Sequence, residues 1–230
     1  MKINDELTVK IEDYDHEGRG IAIYDGFPIF IEKALLNETL LVTINYINSS
    51  YAKAYINKIV IPSPFRNDNV CPYYNECGGC NIFHMDYEEQ LRFKKNMVIK
   101  TFKNVARMDV EVADVVRNPH PYHYRNKMIV PFGKRNGHVI SGFYEAKSHN
   151  IIPQDSCLIE NELARPIINL IKNELEERNV SIYDENTHKG LVRNVMLRAT
   201  KNNDLMLVLI VTKKNPVLNI ILAKCYDTYK

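Results

Sequence analysis

Three of the chain's five cysteines fall in one stretch, Cys71-Pro72-Tyr73-Tyr74-Asn75-Glu76-Cys77-Gly78-Gly79-Cys80. The stretch is polar and carries a proline and a Gly-Gly pair, whereas a cysteine of a hydrophobic core stands alone on an apolar strand or helix. Residues 1–6 lack the apolar segment of an export signal, so a framework of disulfides is not expected. The spacing therefore predicts a metal centre held by thiolates.

The residues favour an iron–sulfur cluster over zinc. Structural zinc usually takes paired Cys-x2-Cys knuckles or includes histidine, and His84 would be the histidine for such a site. Iron–sulfur clusters commonly combine closely spaced cysteines with a distant one, and the two glycines suit close approach of the backbone to a bulky cluster. The distant ligand is Cys157, in a polar turn, or Cys225, on the apolar side of the last helix, and we choose Cys157. Zinc, and a loop without metal, stay open as alternatives.

The composition is that of an ordinary globular protein of 230 residues, with 45% hydrophobic and 25% charged residues. This excludes a disordered chain, a collagen-like repeat and a pure coiled coil. No apolar run approaches the roughly 20 residues that a membrane helix needs, so a cytoplasmic protein without membrane contact is expected. The formal net charge of +2 says little by itself about partners.

Residues 1–61 are expected to form a small β-barrel. Five short apolar stretches with glycine turns follow one another without a helical period. These stretches are residues 7–11, 21–23, 29–31, 40–44 and 55–60. Pro62 and Pro64 would end this domain. Residues 62–85 would then form the cysteine loop.

Residues 86–230 are predicted to form an α/β domain, so that the whole chain is mainly β with an α+β second part. Asp86 and Glu89 make a capping box for a helix whose apolar face would include Phe102 and Val105. A second amphipathic helix would cover residues 163–175, and a short helix would begin near Pro216.

A hairpin is predicted between the last two helices. Its strands would be residues 191–200 and 205–212, joined across residues 201–204. Because residues 205–211 are apolar on both sides, we expect them to form a central strand.

Positive charge is concentrated in residues 117–149. This segment holds six lysines and arginines and one acid, which gives +5 and leaves −3 for the rest of the chain. It also holds four histidines and five aromatic residues. A basic, aromatic-rich segment in a nearly neutral chain is typical of a nucleic-acid-binding surface. A solvated surface with chance positive charge is the alternative that composition leaves open.

In their order and spacing, these features resemble the iron–sulfur RNA uracil-C5 methyltransferases. Those S-adenosylmethionine-dependent enzymes make 5-methyluridine in 23S rRNA, and relatives modify tRNA. Gly18-Arg19-Gly20-Ile21-Ala22 is similar to part of the family's RNA-binding TRAM barrel, and Cys-x5-Cys-Gly-Gly-Cys resembles its cluster motif. Tyr124-Arg125-Asn126-Lys127 resembles its basic strand, and Asp155-Ser156-Cys157 resembles the approach to the fourth ligand.

The resemblance implies a five-stranded OB-like TRAM barrel in residues 1–61, a 4Fe–4S cluster loop in residues 62–85 and a central α/β RNA-binding domain in residues 86–230. The implied cluster ligands are Cys71, Cys77, Cys80 and Cys157. The implied partner is RNA, with 23S rRNA favoured over tRNA, and the protein would be a monomer. The implied RNA contacts are Arg19, Tyr124, Arg125, Lys127, Phe132, Lys134 and Arg135.

The chain also departs from the family. Residues 33–38, Lys-Ala-Leu-Leu-Asn-Glu, replace a Gly-Ala-Leu-Pro-Gly-Glu-like turn. The Rossmann-like methyltransferase domain, the nucleophilic cysteine and the general-base glutamate of the family have no counterpart in the sequence. The chain alone is therefore expected neither to bind S-adenosylmethionine nor to transfer methyl groups. A stand-alone iron–sulfur RNA-binding module and an electron-transfer protein are the alternatives, the latter disfavoured because most of the chain lies outside the cluster loop.

Overall fold

The structure, a computed structural model, describes residues 1–67, 71–202 and 204–229. Over these ranges the chain is mostly β, as predicted, with two sheets and three α-helices. It divides into two compact units: unit 1 comprises Met1–Val70 and Cys80–Asn118, and unit 2 comprises Cys71–Gly79 and Pro119–Lys230. Within the described ranges, no helix is long and apolar enough to cross a membrane.

Unit 1 is built on a six-stranded sheet. Its strands are β1 (Glu6–Lys10), β2 (Asp13–Tyr14), β3 (Gly20–Tyr24), β4 (Phe27–Ile31), β5 (Thr39–Ile47) and β6 (Ala52–Ile61). They lie in the order β1-β5-β6-β4-β3-β2, and the β4–β6 pair is parallel while the other neighbours are antiparallel. The alternating apolar residues of these strands form the core, in which Ile29, Leu40 and Ile44 are fully buried.

The prediction of five strands was wrong by one. All five predicted stretches form strands, but a bend at Ile11 and Glu12 separates the first strand, β1, from the two-residue strand β2. There the chain changes partner from β5 to β3, and the N–H of Glu12 donates to the carbonyl of Ile21 at 2.9 Å. Because the two outer strands of the sheet are consecutive in the chain, the sheet must curve round on itself.

Helix α1 (Tyr87–Thr101) follows the cysteine loop and belongs to unit 1. The carboxylate of Asp86 accepts the N–H of Glu89 at 2.7 Å, which confirms the predicted N-cap. The helix continues as a π-helical turn (Phe102–Ala106), and the changed spacing turns later side chains away from the packed face. Val105 is 80% exposed, so the prediction of one apolar face as far as this residue was wrong.

Unit 2 contains the second sheet and two helices. These elements are β7 (Lys127–Arg135), β8 (His138–Ser141), α2 (Ala164–Glu177), β9 (Val192–Ala199), β10 (Leu205–Val211) and α3 (Pro216–Tyr229). The sheet order is β10-β9-β7-β8 and all neighbours are antiparallel, which fits the predicted α+β second part, whereas the label α/β for the central domain was wrong. Met128, Val130 and Leu197 of the sheet share one core with Ile168 of α2 and Ile221 of α3.

The compact units do not follow the three predicted segments. Helix α1 groups with the barrel-like sheet, and the first part of the cysteine loop groups with the second sheet. The compact units are defined by contacts and need not coincide with domains. The predicted domain limits at residues 61 and 85 therefore stay predictions.

Strand β10 was predicted to be central but lies at the edge of the described sheet. Its outer face exposes Met206 and Val208, at 47% and 37%. An apolar stretch indicates that its side chains are buried. It does not indicate the position of the strand in the sheet, which is set by pairing with segments distant in the chain. Of the predicted turn at residues 201–204, residue 203 lies outside the described residues.

Candidate functional site

The first part of the cysteine loop, residues 71–79, is held by hydrogen bonds to later segments of unit 2. The N–H of Gly78 donates to the carbonyl of Tyr144 at 2.9 Å. The hydroxyl of Tyr73 accepts the N–H of Asp155 at 3.2 Å. A Cβ at Gly78 would stand 2.9 Å from the backbone of the opposing segment, so only glycine allows this approach. The loop is therefore fixed close in the fold to the turn that carries Cys157.

Two of the predicted ligand sulfurs accept backbone N–H groups. The Sγ of Cys77 accepts the N–H of Gly79 at 3.3 Å. Burial raises the pKa of the Cys157 thiol, and hydrogen bonds from the backbone of Ile159 and Glu160 act in the opposite direction. Such N–H···S bonds stabilise metal-bound thiolates and tune their clusters. The surroundings of both sulfurs therefore fit ligands of a metal centre.

Cys225 and His84, the alternative ligands, are core residues. Cys225 on α3 is 4% exposed in the core of unit 2, and burial raises the pKa of its thiol to about 11. His84 is 2% exposed in unit 1. Burial first, and then the charge of Arg66, lower the pKa of His84 to about 3, against a hydrogen bond with the backbone of Ala34. These placements support the choice of Cys157 and speak against His84 as a zinc ligand.

The complete metal centre is not assembled in the structure. Over residues 1–67, 71–202 and 204–229, no three His, Cys, Asp or Glu side chains are grouped as ligands of one metal ion. Cys71, Cys77 and Cys157 belong to unit 2, whereas Cys80 is counted with unit 1. The place of Cys80 in the ligand set therefore rests on the sequence spacing, and the 4Fe–4S assignment stays a prediction.

The basic residues of strand β7 lie on the surface of unit 2. Lys127, Lys134 and Arg135 are exposed, and none of them is paired with a carboxylate of the described residues. Arg135 donates to the carbonyl of Ile151 at 2.8 Å, a bond that leaves its charge unneutralised. Unpaired cations on a rigid strand are well placed for phosphate groups.

A fourth cation of this surface, Arg198, was missed in the sequence because it belongs to another strand. In the β7–β9 register Lys127 lies directly opposite Arg198, and both side chains are exposed. Like charges directly opposite each other destabilise an antiparallel pair. No carboxylate among the described residues pairs with either of them. The pair is therefore a positive spot suited to an anion, and only the strand register could have revealed it.

The two aromatic residues that were implied as RNA contacts differ in their exposure. Phe132 is 3% exposed in the core of unit 2, because it shares the inward face of β7 with Met128 and Val130. Its assignment as an RNA contact is thereby contradicted. Tyr124, the other aromatic residue implied as an RNA contact, is 55% exposed, because regular pairing of β7 begins only at Lys127. It remains available for stacking on a base.

Arg125 packs against the segment that follows Cys157 and against an aromatic ring. Its N–H donates to the carbonyl of Ile159 at 2.9 Å, and its guanidinium lies 5.8 Å from the centroid of the Phe143 ring. Burial raises the pKa of Glu160, and the charges of Arg165 and, more weakly, of Arg125 oppose that rise. Packing near the Cys157 segment therefore accounts for Arg125, and RNA contact by this residue stays a prediction.

Arg19, in unit 1, is already neutralised by carboxylates. Its guanidinium lies 2.5 Å from Asp15 and 3.1 Å from Glu17, and it stands over the ring of Phe30 at 5.4 Å. Asp15 also accepts the backbone N–H groups of Glu17 and Arg19, which closes a tight turn. A phosphate at Arg19 would compete with both carboxylates, so its predicted RNA contact has the least structural support.

The fold of the chain is shared with a solved enzyme. The crystal structure of Pyrococcus abyssi tRNA (uracil-54, C5)-methyltransferase in complex with S-adenosyl-L-homocysteine matches it with a TM-score of 0.66 and 21% sequence identity. The match covers 93% of this chain and 48% of that one. At this identity the likeness concerns the fold alone. No protein-family model matches the chain.

The chain is also similar in sequence to curated bacterial proteins named "uncharacterized RNA methyltransferase". The Clostridium tetani protein is 40% identical over 213 residues, which are 93% of this chain and 46% of that protein. The Listeria innocua protein is 38% identical over 93% of this chain and 48% of its own length. A Staphylococcus aureus protein is 39% identical over 98% of this chain and 51% of its own length. The chain spans about half the length of the curated relatives it matches.

Proposed function

We propose that this chain is the RNA-binding part of an S-adenosylmethionine-dependent RNA (uracil-C5)-methyltransferase that makes 5-methyluridine, with 23S rRNA as the favoured substrate. Similarity to proteins named RNA methyltransferases supports methyl transfer to RNA by the whole protein. A fold shared with a tRNA (uracil-54, C5)-methyltransferase that holds S-adenosyl-L-homocysteine supports uracil C5 as the target and S-adenosylmethionine as the donor. The proposal assigns no residue of this chain to catalysis, and it places the protein in the cytoplasm as a monomer.

The observation that carries RNA binding is the set of exposed cations on β7 and β9 without carboxylate partners among the described residues. These cations are Lys127, Lys134, Arg135 and Arg198. Phosphate contacts dominate the affinity of proteins for nucleic acids, and each contact releases counterions from the RNA. Within this set, Lys127 and Arg198 lie directly opposite each other, and a pair of like charges without a counter-charge is suited to this role. Tyr124 would add stacking on an unpaired base.

The proposal includes a 4Fe–4S cluster held by Cys71, Cys77, Cys80 and Cys157. It is supported by the N–H···S bonds at Cys77 and Cys157 and by the hydrogen bonds that fix the cysteine loop near the Cys157 turn. The cluster would fasten a loop-rich region with little apolar core of its own. We therefore propose a structural role for it.

A tRNA substrate is the second candidate, because the solved enzyme with this fold is a tRNA methyltransferase. A stand-alone iron–sulfur RNA-binding module without methyltransferase activity would share the same surface. The native reading frame distinguishes the module from the enzyme, since an enzyme requires a further methyltransferase domain. An electron-transfer protein would not require the unpaired cations of β7 and β9.

Fluorescence anisotropy with labelled RNA tests the proposal. We expect the 230-residue chain to bind a uridine-loop hairpin from 23S rRNA with a log–log salt slope of about −3 to −4, from roughly 0.9 counterions for each of four phosphate contacts. A tRNA T-arm hairpin of equal length decides between the two substrates by comparison of the dissociation constants. The chain alone should transfer no methyl group to either hairpin. Undetectable binding, or binding insensitive to salt, would contradict the proposal.

Iron analysis tests the cluster separately. The chain purified without oxygen should contain about four iron and four sulfide, as in a cubane cluster. Cys157→Ser should lose the iron. The matched control Cys225→Ser should keep it and lose at most roughly 1–2 kcal/mol of stability, because a buried hydroxyl replaces the thiol. Stoichiometric zinc without sulfide, or the reverse behaviour of the two variants, would remove the cluster from the account.

A further inference from the structure

Unit 2 contains a cavity that the surface just described does not explain. It has a volume of ≈ 700 Å³, within the range of roughly 300–1,000 Å³ that is usual for small-ligand sites. Its walls come from the end of β7, from the segment at residues 144–151, from the loop at residues 182–186 and from Arg193 of β9. None of the predicted cluster ligands lines it.

The walls of the cavity present aromatic rings and a guanidinium. The guanidinium of Arg193 lies over the Tyr183 ring, 4.4 Å from its centroid. On another wall the rings of Tyr144 and His149 meet edge-on, with centroids 5.2 Å apart. Unpaired bases are bound in proteins by stacking on aromatic rings and on arginine planes. The cavity therefore has the chemistry of a base-binding site.

Arg193 has unused hydrogen-bonding capacity. One of its terminal nitrogens donates to Glu185 at 2.8 Å. Its Nε is buried and has no hydrogen-bond partner among the described residues. A buried donor without an acceptor is unfavourable, so a ligand that supplies an acceptor and loosens this packing would gain a bond that the free protein lacks.

The positive charges of the cavity lining, on Lys134, Arg135 and Arg193, outnumber the negative charges, on Asp184 and Glu185. The carboxylate of Asp184 accepts the backbone N–H groups of Asn186 and Thr187 at 2.9 and 2.8 Å, and these hydrogen bonds stabilise the turn at residues 184–187. Glu185 is occupied by Arg193. Lys134 and Arg135, at the end of β7, line the cavity and have no carboxylate partner in the described ranges. The site is thus matched to a group that is both aromatic and anionic.

We propose that this cavity binds a single unstacked nucleotide of the RNA, a subsite that rests on the proposed function and refines it. The base extends the stack of Arg193 and Tyr183, and the phosphate lies against Lys134 and Arg135. Glu185 holds the guanidinium in the free protein and is displaced from it by an acceptor of the nucleotide. The nucleotide bound there is either an extruded neighbour of the target uridine or a nucleotide of an RNA loop. Its binding fixes the position of the RNA along the protein surface.

Substitution of Tyr183 tests the stack. The 230-residue chain and its variants are titrated with a fluorescent single-stranded heptauridylate at fixed salt. Tyr183→Ala should weaken binding about tenfold, the effect of losing one base-stacking ring. Tyr183→Phe keeps the ring and should bind as the unchanged chain does. Equal melting temperatures of the two variants would show that the difference is not one of folding.

Substitution of Glu185 gives an effect of opposite sign. Glu185→Gln frees Arg193 and removes a negative charge that competes with the nucleotide, so binding should tighten by about three- to tenfold. A purely structural ion pair would instead leave affinity unchanged or weaken it. Cross-linking of 4-thiouridine in the same oligonucleotide should mark residues 140–151 or 182–193, and marking of other segments alone would overturn the subsite.

The outcomes separate the subsite from the proposed function. Salt-dependent RNA binding that is equal in the unchanged chain, Tyr183→Ala and Glu185→Gln would overturn the subsite and leave the proposed function standing. Absence of any RNA binding would overturn both. Free uridine 5′-monophosphate is the second ligand arm. If it bound as tightly as the heptauridylate, the cavity would be a site for a free nucleotide, and the proposal of an RNA subsite would be wrong.

Discussion

Four arginines of unit 1 are bound to carboxylates, whereas four cations of β7 and β9 in unit 2 have no carboxylate partner in the described chain; Arg193 of β9 is paired with Glu185. The pairs of unit 1 are Arg19 with Asp15, Arg66 with Glu38, Arg92 with Glu89 and Arg117 with Glu88. The unpaired set of unit 2 is Lys127, Lys134, Arg135 and Arg198. The four cations of unit 2 can offer their charge to a phosphate, whereas the four arginines of unit 1 are already neutralised by carboxylates.

The difference teaches that a cation's partner, and not its presence, indicates its role. Arg66 donates to both oxygens of Glu38, at 2.6 and 2.7 Å, and to the carbonyl of Lys33 at 2.9 Å. Glu38 is fully buried and also accepts the N–H of Leu35 at 2.9 Å. This hydrogen-bonded group joins two loops of unit 1 and stabilises the fold. The cations of β7, by contrast, can be removed without leaving a buried charge behind.

The largest effect is expected from Arg66→Ala. The substitution leaves the carboxylate of Glu38 buried without its main partner, and the free energy of unfolding should fall by roughly 3–5 kcal/mol. Urea denaturation monitored by circular dichroism measures the loss. Arg117→Ala is the matched control, because its pair with Glu88 is exposed and is worth about 1 kcal/mol or less. Equal losses in the two variants would break the distinction between buried and surface pairs in unit 1.

An intermediate loss of folding stability is expected when the pH is lowered. Burial, and then the charge of Arg66, lower the pKa of His84 to about 3, below its ordinary value. As the pH falls below about 6.5, His84 of the unfolded chain binds a proton, whereas His84 of the folded chain stays neutral. The folded state therefore loses stability as the pH falls from about 6.5 towards 3. At pH 5 the loss should be about 2 kcal/mol.

Hydrogen exchange between pH 7 and pH 5 measures this loss in the segments of unit 1. His84→Gln should show a flatter dependence on pH than the unchanged chain. If both chains lose the same stability, His84 has no part in the acid sensitivity.

The smallest effect is expected from Lys127→Ala, and its sign is the informative part. The substitution relieves the repulsion with Arg198 across the β7–β9 pair, so stability should rise by roughly 0.2–1 kcal/mol while RNA affinity falls. The gain should shrink in 0.5 M salt, which screens exposed charges. Lys134→Ala is the control, since Lys134 lies opposite Val139 and has no like charge to repel it. Destabilisation by Lys127→Ala would show that the lysine supports the sheet.

Local patterns sufficed for most elements of the fold. The alternating stretches of residues 1–61 became strands, and the Asp86 box became a helix cap, because these features depend on near neighbours. The bend that creates β2 and the edge position of β10 were not predictable in this way. Both are set by pairing between residues far apart in the chain, which one sequence does not specify.

The candidate site shows the same limit. The cysteine spacing and the basic segment were visible in the sequence, but the register that places Arg198 opposite Lys127 was not. The inward face of β7 begins with Met128 and includes Phe132, so an aromatic residue in a basic segment proved to be core. The cavity around Arg193 is lined by segments that are separated along the chain, and no sequence motif predicted it.

The most direct test compares two double variants that remove the same charge. Lys127→Gln with Arg135→Gln changes the unpaired surface of unit 2, and Arg19→Gln with Arg117→Gln changes paired arginines of unit 1. Affinity for the uridine hairpin is measured across a salt series. The account predicts that the log–log slope becomes shallower by about one to two in the unit 2 variant and stays unchanged in the unit 1 variant. Equal slopes in both variants, or a larger change in the unit 1 variant, would contradict it.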